Sequence, residues 1–425
     1  MNRDDKVIMN MLKEKIYIFK RKLQALGSGI CFYMCRLFPI DKKLISVCTF
    51  EGRGGFGCNP KYIVEALHKL DSTYSYVWFV NDINKELPEY IKKVPNTVLS
   101  RAYWLTRSMV WIDNYRKPYG TKKRKGQLYI NTWHATQGFK SIGLWRGKAF
   151  STMAYLVSKN DSDMVDFFVT DSKWCDEVNP KGMVYDGNFL KVGAPRCDVL
   201  YGDRSKYKKT FRLKHKISED AKVVMYAPTF REGSKNGKRL VFSEIWSIDF
   251  NRLIENLKKR FGGEWYVCIR VHPQLAEACK EYKNTDIQKY ILDESKADDM
   301  YEILAAMDAY ITDYSSAAMD ASLTHMPVFM YADDIVQYTK DRGSLLWNLS
   351  DDTSKPVTNN KKMTPNLDLI LPFSVSKDND ELERNILNFN KKEYLDKIKK
   401  YEDGVELVFN GDASEKVARE IVKFR

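Results

Sequence analysis

Short apolar runs alternate with amphipathic stretches along most of the chain. Leu44–Phe50, Tyr76–Val80, Met109–Asp113, Gln127–Trp133, Phe167–Thr170 and Lys191–Val192 read as strands, and Lys61–Leu70 has helical spacing. The rhythm lapses over residues 202–220, where Lys206, Lys208, Lys209, Arg212, Lys214, His215 and Lys216 form a basic polar segment. A second series follows: strand Lys222–Tyr226, helix Ser243–Phe261, strand Trp265–Val271, helix Asp298–Ala306, strand Ala309–Thr312, helix Ser315–Thr324 and strand Val328–Tyr331. Strands that alternate with helices build a parallel sheet covered by helices. The pattern therefore predicts an α/β protein with two consecutive parallel-sheet domains, over 41–205 and 206–375, and a charged helical tail over 376–425.

Residues 1–40 differ from the rest. Lys13, Lys15, Lys20, Arg21 and Lys22 are interleaved with Met9, Met11, Leu12, Ile16, Ile18 and Phe19. Gly27-Ser28-Gly29 is expected to interrupt the helix before Ile30-Cys31-Phe32-Tyr33. A basic amphipathic segment of this kind suits either an anionic membrane surface or docking on the protein body. No run approaches the ~18 apolar residues of a spanning helix, and no secretory signal pattern is visible. The expected location is the cytoplasm, with contact to a membrane surface.

Composition narrows the partners. The chain has 425 residues and a formal net charge of +13, which favours anionic ligands. Its eight cysteines form no Cys-x-x-Cys pair and no zinc spacing with histidine, and they read as reduced thiols. No carboxylate cluster marks a metal site. No nucleic-acid-binding signature is present, and no nucleic-acid partner is expected.

Ligands of open α/β sheets bind at the carboxyl ends of the strands, so polar residues that follow strands are the candidates. Asn131-Thr132-Trp133-His134 presents a histidine at one such end. Tyr226-Ala227-Pro228-Thr229-Phe230-Arg231 presents an arginine suited to phosphate oxygens. In Arg270-Val271-His272-Pro273 the arginine and histidine point to one side of an extended segment. Thr312-Asp313-Tyr314-Ser315-Ser316 reads as strand, turn and helix start, where backbone N–H groups and hydroxyls meet an anion. Together these are the parts of a nucleotide-diphosphate site. There is no P-loop, and no Gly-x-Gly-x-x-Gly follows a strand; Gly52-Arg53-Gly54-Gly55 has the wrong spacing for either.

These four segments, with Cys58-Asn59-Pro60-Lys61 and Gly193-Ala194-Pro195-Arg196-Cys197-Asp198, resemble the CDP-glycerol glycerophosphotransferases, the teichoic-acid primases and polymerases. The resemblance spans roughly residues 44–345. It implies a GT-B-like fold, with two Rossmann-like domains and a cleft between them. It implies transfer of glycerol phosphate, or a related polyol phosphate, from a CDP-polyol donor (CDP-glycerol or CDP-ribitol). The acceptor would be a lipid-linked saccharide or polyol phosphate, at an anionic membrane surface. The resemblance also implies peripheral attachment on the cytoplasmic side of the cell membrane. No cofactor or metal is called for. By this analogy His134 is the general base, and His272 stabilises the phosphate or the CMP leaving group. Arg231, Arg270, Thr312, Asp313, Ser315, Ser316, Asp320, Asn59, Lys140 and Arg196 would bind substrate. After His134 the family commonly continues Gly-Thr-Pro, whereas this chain has Ala135-Thr136-Gln137-Gly138-Phe139-Lys140, a departure that bears on donor or acceptor identity. The nearest alternative is a GT-B glycosyltransferase using a nucleotide sugar; a non-catalytic anionic-polymer binder is a more distant one.

Overall fold

The computed structural model describes residues 3–229, 232–235, 238–241, 247–271 and 286–424. His272 and Arg231 lie outside the described residues.

The first sheet contains β1 (Asp41–Cys48), β2 (Ser75–Val80), β3 (Ile91–Pro95), β4 (Ser108–Asp113), β5 (Leu128–Asn131), β6 (Phe167–Thr170) and β7 (Asn188–Lys191). Their order is β3-β2-β1-β4-β5-β6-β7, and all pairs are parallel. After β8 (Lys222–Tyr226) comes a hairpin, β9 (Glu232–Lys235) and β10 (Lys238–Val241). The second sheet adds β11 (Trp265–Ile269), β12 (Ile291–Asp293), β13 (Ala309–Thr312), β14 (Val328–Tyr331) and β15 (Ser374–Ser376) to β8. Its order is β12-β11-β8-β13-β14-β15, again all parallel. Both sheets follow the doubly wound order, in which the direction of winding reverses between the first and fourth strands. The reversal points are β1/β4 and β8/β13.

The central strands are near-continuous apolar runs because helices cover both faces. Ile45 and Val47 on β1, and Val223, Val224 and Met225 on β8, are almost fully buried. One apolar core continues from the first domain into the second: Tyr62, Phe139 and Trp174 pack with Met225, Tyr310, Trp347 and Tyr401. Within it Trp174 and Trp347 stack at 4.8 Å. Ion pairs span the same seam. Lys61 meets Asp299 at 2.8 Å and Glu302 at 2.7 Å, and the Tyr62 hydroxyl donates to Asp299 at 2.6 Å. The last helix, Ala413–Lys423, returns to the first domain and buries Val417, Ala418 and Ile421 beside Ile63 and Leu67.

Several elements differ from the sequence expectation. Residues 205–215, read only as a basic segment, form a helix whose Arg212 is buried against Asp308 at 2.7 Å. Strands β3, β12 and β15 are too short or too polar to stand out by alternation. The helix expected from Ser315 is the six-residue Ala317–Ser322.

The largest difference is at the N-terminus. Gly27-Ser28-Gly29 does not break the helix, which runs from Arg3 to Met34. Tertiary contact overrides propensity there. Gly29 is buried, and a side chain on Gly120 would come within 2.6 Å of the Ala25 backbone. Small residues let the helix lie close to the loop at Gly120, whose φ of +96° also calls for glycine.

Candidate active site

The carboxyl ends of the two sheets enclose a cavity of about 360 Å³. From the first domain come Phe50, just beyond β1, and the loop after β5 with Trp133, His134 and Lys140. From the second come Arg270, beyond β11, and Tyr314, Ser315 and Ser316, beyond β13. A crevice built where winding reverses is the ordinary ligand site of such sheets.

The glycine-rich run explains how the domains approach so closely. A Cβ on Gly55 would lie 1.8 Å from the Asp298 carboxylate, and one on Gly57 would lie 2.6 Å from the Asp298 carbonyl. The run is thus a contact between domains, and Lys85 pairs with Asp298 beside it.

His134 sits among aromatic rings. Trp133, Phe50 and Tyr115 have ring centroids at 4.4, 5.4 and 5.5 Å from the imidazole. Its Nδ1 lies 2.9 Å from the Asn114 carbonyl, so Nδ1 carries the proton and donates it there. Nε2 is then a bare lone pair, with no hydrogen-bond partner among the described residues. Burial pushes the imidazole pKa down to about 4, and the positive Arg196, Arg116 and Lys140 act in the same direction. The hydrogen bond to Asn114 opposes that shift without cancelling it. The ring is therefore neutral across the physiological range and able to accept a proton.

The backbone that delivers this ring is strained. Trp133 has φ +48°, in the left-handed region that bulky residues avoid, at a cost of roughly 1–3 kcal/mol. Hydrogen bonds hold it there: Trp133 N–H donates to Asn131 Oδ1 at 2.8 Å, and Asn59 Nδ2 donates to the Trp133 carbonyl at 3.0 Å.

On the opposite wall, Ser315 and Ser316 are half-buried and line the cavity. The Ser315 hydroxyl oxygen accepts from Ala317 N–H at 3.3 Å. Arg270 extends along the same wall, with Nη1 donating to the Glu294 carbonyl at 2.8 Å. A guanidinium, two hydroxyls and Lys140 thus surround one cavity, a donor set matched to phosphate oxygens.

Five of the residues expected to bind substrate do not reach the cavity. Thr312 Oγ1 donates to the Ala227 carbonyl at 2.6 Å, and Asp313 accepts from Thr229 N–H at 2.8 Å. Both are buried and hold the loop after β8 against β13. Arg196, Asp320 and Asn59 are 0%, 3% and 1% exposed and bind one another. Arg196 Nη2 lies 3.0 Å from Asp320 Oδ2, and Tyr301 hydroxyl donates to the same oxygen at 2.6 Å. Burial opposes the charge on Arg196, but Asp320 outweighs it and holds the guanidinium pKa well above its ordinary range. His134, Lys140, Arg270, Ser315 and Ser316 are the expected residues that the fold brings together.

Sequence reasoning missed Asn114, Tyr115, Phe50 and Tyr301. Asn114 directly follows β4, so the search for polar residues after strands applies to it. The Phe50 and Tyr115 rings carry no such signal, because an aromatic beside a strand looks like core. Among the described residues no three His, Cys, Asp or Glu side chains are placed to hold a metal ion.

The fold and cavity define a two-domain α/β protein of GT-B type, whose cleft sets a neutral histidine opposite cationic and hydroxyl groups. The chain belongs to the CDP-glycerol:poly(glycerophosphate) glycerophosphotransferase family, whose model matches residues 30–423. It is 27% identical over 379 residues to a teichoic acid poly(glycerol phosphate) polymerase of Staphylococcus epidermidis, covering 86% of this chain and 49% of that one. It is 25% identical over 343 residues to a polymerase of the same description from Bacillus spizizenii, covering 77% and 83%. The structure of the wall teichoic acid polymerase TagF superposes with a TM-score of 0.74 at 25% identity, covering 96% of this chain and 98% of that one. This chain spans about half the length of several curated relatives that it matches.

Proposed function

We propose that the protein transfers glycerol phosphate, or a related polyol phosphate, from a CDP-activated donor to a hydroxyl of a lipid-linked acceptor and releases CMP. The observation that carries this reading is the opposition, across one cavity, of a neutral histidine with a bare Nε2 and a cluster of phosphate donors. Family membership supplies the donor class.

In this reading the acceptor hydroxyl lies against His134 Nε2, which takes its proton. The hydroxyl oxygen attacks the donor's β-phosphorus. The bond from that phosphorus to the bridging oxygen breaks, and CMP departs with the bridging oxygen. Ser315, Ser316 and Arg270 stabilise the charge that spreads over the phosphate oxygens, as fixed donors do in phosphoryl transfer. Arg231 and His272 complete the phosphate side in the sequence reading. The rings around His134 limit its contact with water and favour the neutral imidazole before the acceptor enters. A defined lipid-linked acceptor, incubated in turn with CDP-glycerol, CDP-ribitol and nucleotide sugars, tests the reading. A product heavier by polyol phosphate units, with CMP released, supports it; a product heavier by a sugar overturns it.

The same reading puts the enzyme at the cytoplasmic face of the membrane, held by its N-terminal helix. No helix among the described residues is long and apolar enough to cross a membrane. Met9, Leu12, Ile16, Phe19, Leu23, Leu26, Ile30, Tyr33 and Leu37 recur at alternating spacings of three and four, and all are exposed. Lys13, Lys15, Lys20 and Lys22 flank this stripe on both sides. Pairing two such helices would set lysine against lysine, whereas anionic headgroups complement both edges. Flotation with anionic vesicles supports the assignment if binding is lost on removing residues 1–40, and rejects it if binding is unchanged.

A further inference from the structure

Asn59 joins parts of the molecule that are far apart in the chain. It lies near the start of the helix Cys58–Leu70 in the first domain. Its Nδ2 donates to the Trp133 carbonyl at 3.0 Å and to the Thr132 carbonyl at 3.4 Å. Its Oδ1 accepts the backbone N–H of Arg196 at 2.9 Å. The Arg196 guanidinium continues the path. Nη2 reaches Asp320 at 3.0 Å and Thr136 Oγ1 at 3.4 Å, and Nε donates to the Tyr301 hydroxyl at 2.6 Å. Asp320 belongs to the helix Ala317–Ser322, which starts directly after Ser315 and Ser316. Buried hydrogen bonds therefore link the residue that precedes His134 to Asp320, on the helix that continues the Ser315–Ser316 wall of the cavity.

The polar atoms of Asn59 are oriented by this arrangement. The amide nitrogen faces two carbonyls and the amide oxygen faces N–H groups, so a flipped amide would lose both sets of bonds. Trp133 is also where help is needed, since its left-handed backbone is unfavourable on its own. Without Asn59 the Trp133 carbonyl keeps only the Thr132 hydroxyl, at 3.0 Å, among the described residues, so the peptide that carries the imidazole is held less firmly. Small misplacements of a reacting group cost large factors in rate.

We propose that Asn59 is a positioning residue: it fixes the Trp133–His134 peptide, and through it the imidazole, in register with the Ser315–Ser316 wall of the other domain. The proposal rests on the reading of His134 as the general base. It predicts that the contribution of Asn59 to turnover passes through the imidazole and vanishes when the imidazole is absent.

The test uses the full chain with Asn59→Ala and Asn59→Asp, each in the native and the His134→Ala backgrounds. Asn59→Asp keeps an oxygen for Arg196 N–H and deletes the donor to the two carbonyls. Turnover, the KM for CDP-glycerol and the calorimetric affinity for CMP are measured. The expected result is a loss in kcat of about tenfold or more for both variants, while KM and CMP affinity change by less than about twofold. In the His134→Ala background the same substitutions change residual turnover by less than about twofold. An equal loss in both backgrounds overturns the proposal, as does unchanged kcat. A loss confined to CMP affinity, or melting below the assay temperature, also overturns it by assigning Asn59 to donor binding or to stability. Native turnover in His134→Ala alone is a separate result: it refutes the base assignment and removes the ground for the proposal.

Discussion

His134 and Arg196 stand at the same seam and are treated in opposite ways. Among the described residues His134 has one polar partner, the Asn114 carbonyl, and three aromatic rings pack around it. Arg196 is surrounded by Asp320, Tyr301, Thr136 and Asn59 and has no exposed surface. A group that exchanges a proton must keep one atom available and its charge suppressed. A group that holds two domains in register must have its donors occupied, because a buried guanidinium without partners is very unfavourable. Burial disfavours charge at both positions: it leaves His134 neutral, whereas the Asp320 carboxylate outweighs it at Arg196 and keeps the guanidinium charged.

The comparison breaks most visibly if the two residues respond alike. His134→Ala should lower turnover by about 10²–10⁴ while the fold and CMP binding persist. Retention of more than half the activity would contradict the proton-acceptor role. Arg196→Ala should act on stability instead, by about 3–5 kcal/mol, since it leaves the Asp320 carboxylate buried without its guanidinium. Chemical denaturation checks this, and a variant as stable as the native chain would show that the pair is not what joins the domains. Smaller is the effect of removing the Ser315 and Ser316 hydroxyls together. Each hydrogen bond to a charged phosphate is worth roughly 1.5–3 kcal/mol, so CMP and CDP-glycerol affinities should both fall in calorimetry. Unchanged affinity for both would remove the serines from the phosphate wall.

The same contrast marks how far the sequence could be read. The parallel sheets and the presence of His134, Arg270, Ser315 and Ser316 at strand ends were legible, because β-strand periodicity is local and functional groups follow strands. The roles of Asn59, Arg196 and Asp320 were not. Only the family resemblance placed them, among the substrate-binding residues. Arg196 and Asp320 lie 124 positions apart, and no local pattern reveals that they meet. Thr312 and Asp313 likewise have partners that no local pattern reveals: the Ala227 carbonyl and the Thr229 N–H, on the loop after a neighbouring strand. The uninterrupted N-terminal helix depends on Gly120, far along the chain, accepting the close approach of Ala25.

The central claim, a proton acceptor kept neutral by its surroundings, is tested most directly by the pH dependence of transfer in the native enzyme and in His134→Ala. kcat/KM reports the free enzyme, in which burial holds His134 at about 4, below its ordinary 6.5. The acidic limb of kcat/KM should therefore lie near that lower value, with activity falling as the pH drops and the imidazole takes a proton. In kcat the limb should move upward, because the bound pyrophosphate is negative and favours the imidazolium. His134→Ala should lose the limb in both profiles. A kcat/KM limb at the ordinary histidine value, or the same limb in His134→Ala, would contradict the account.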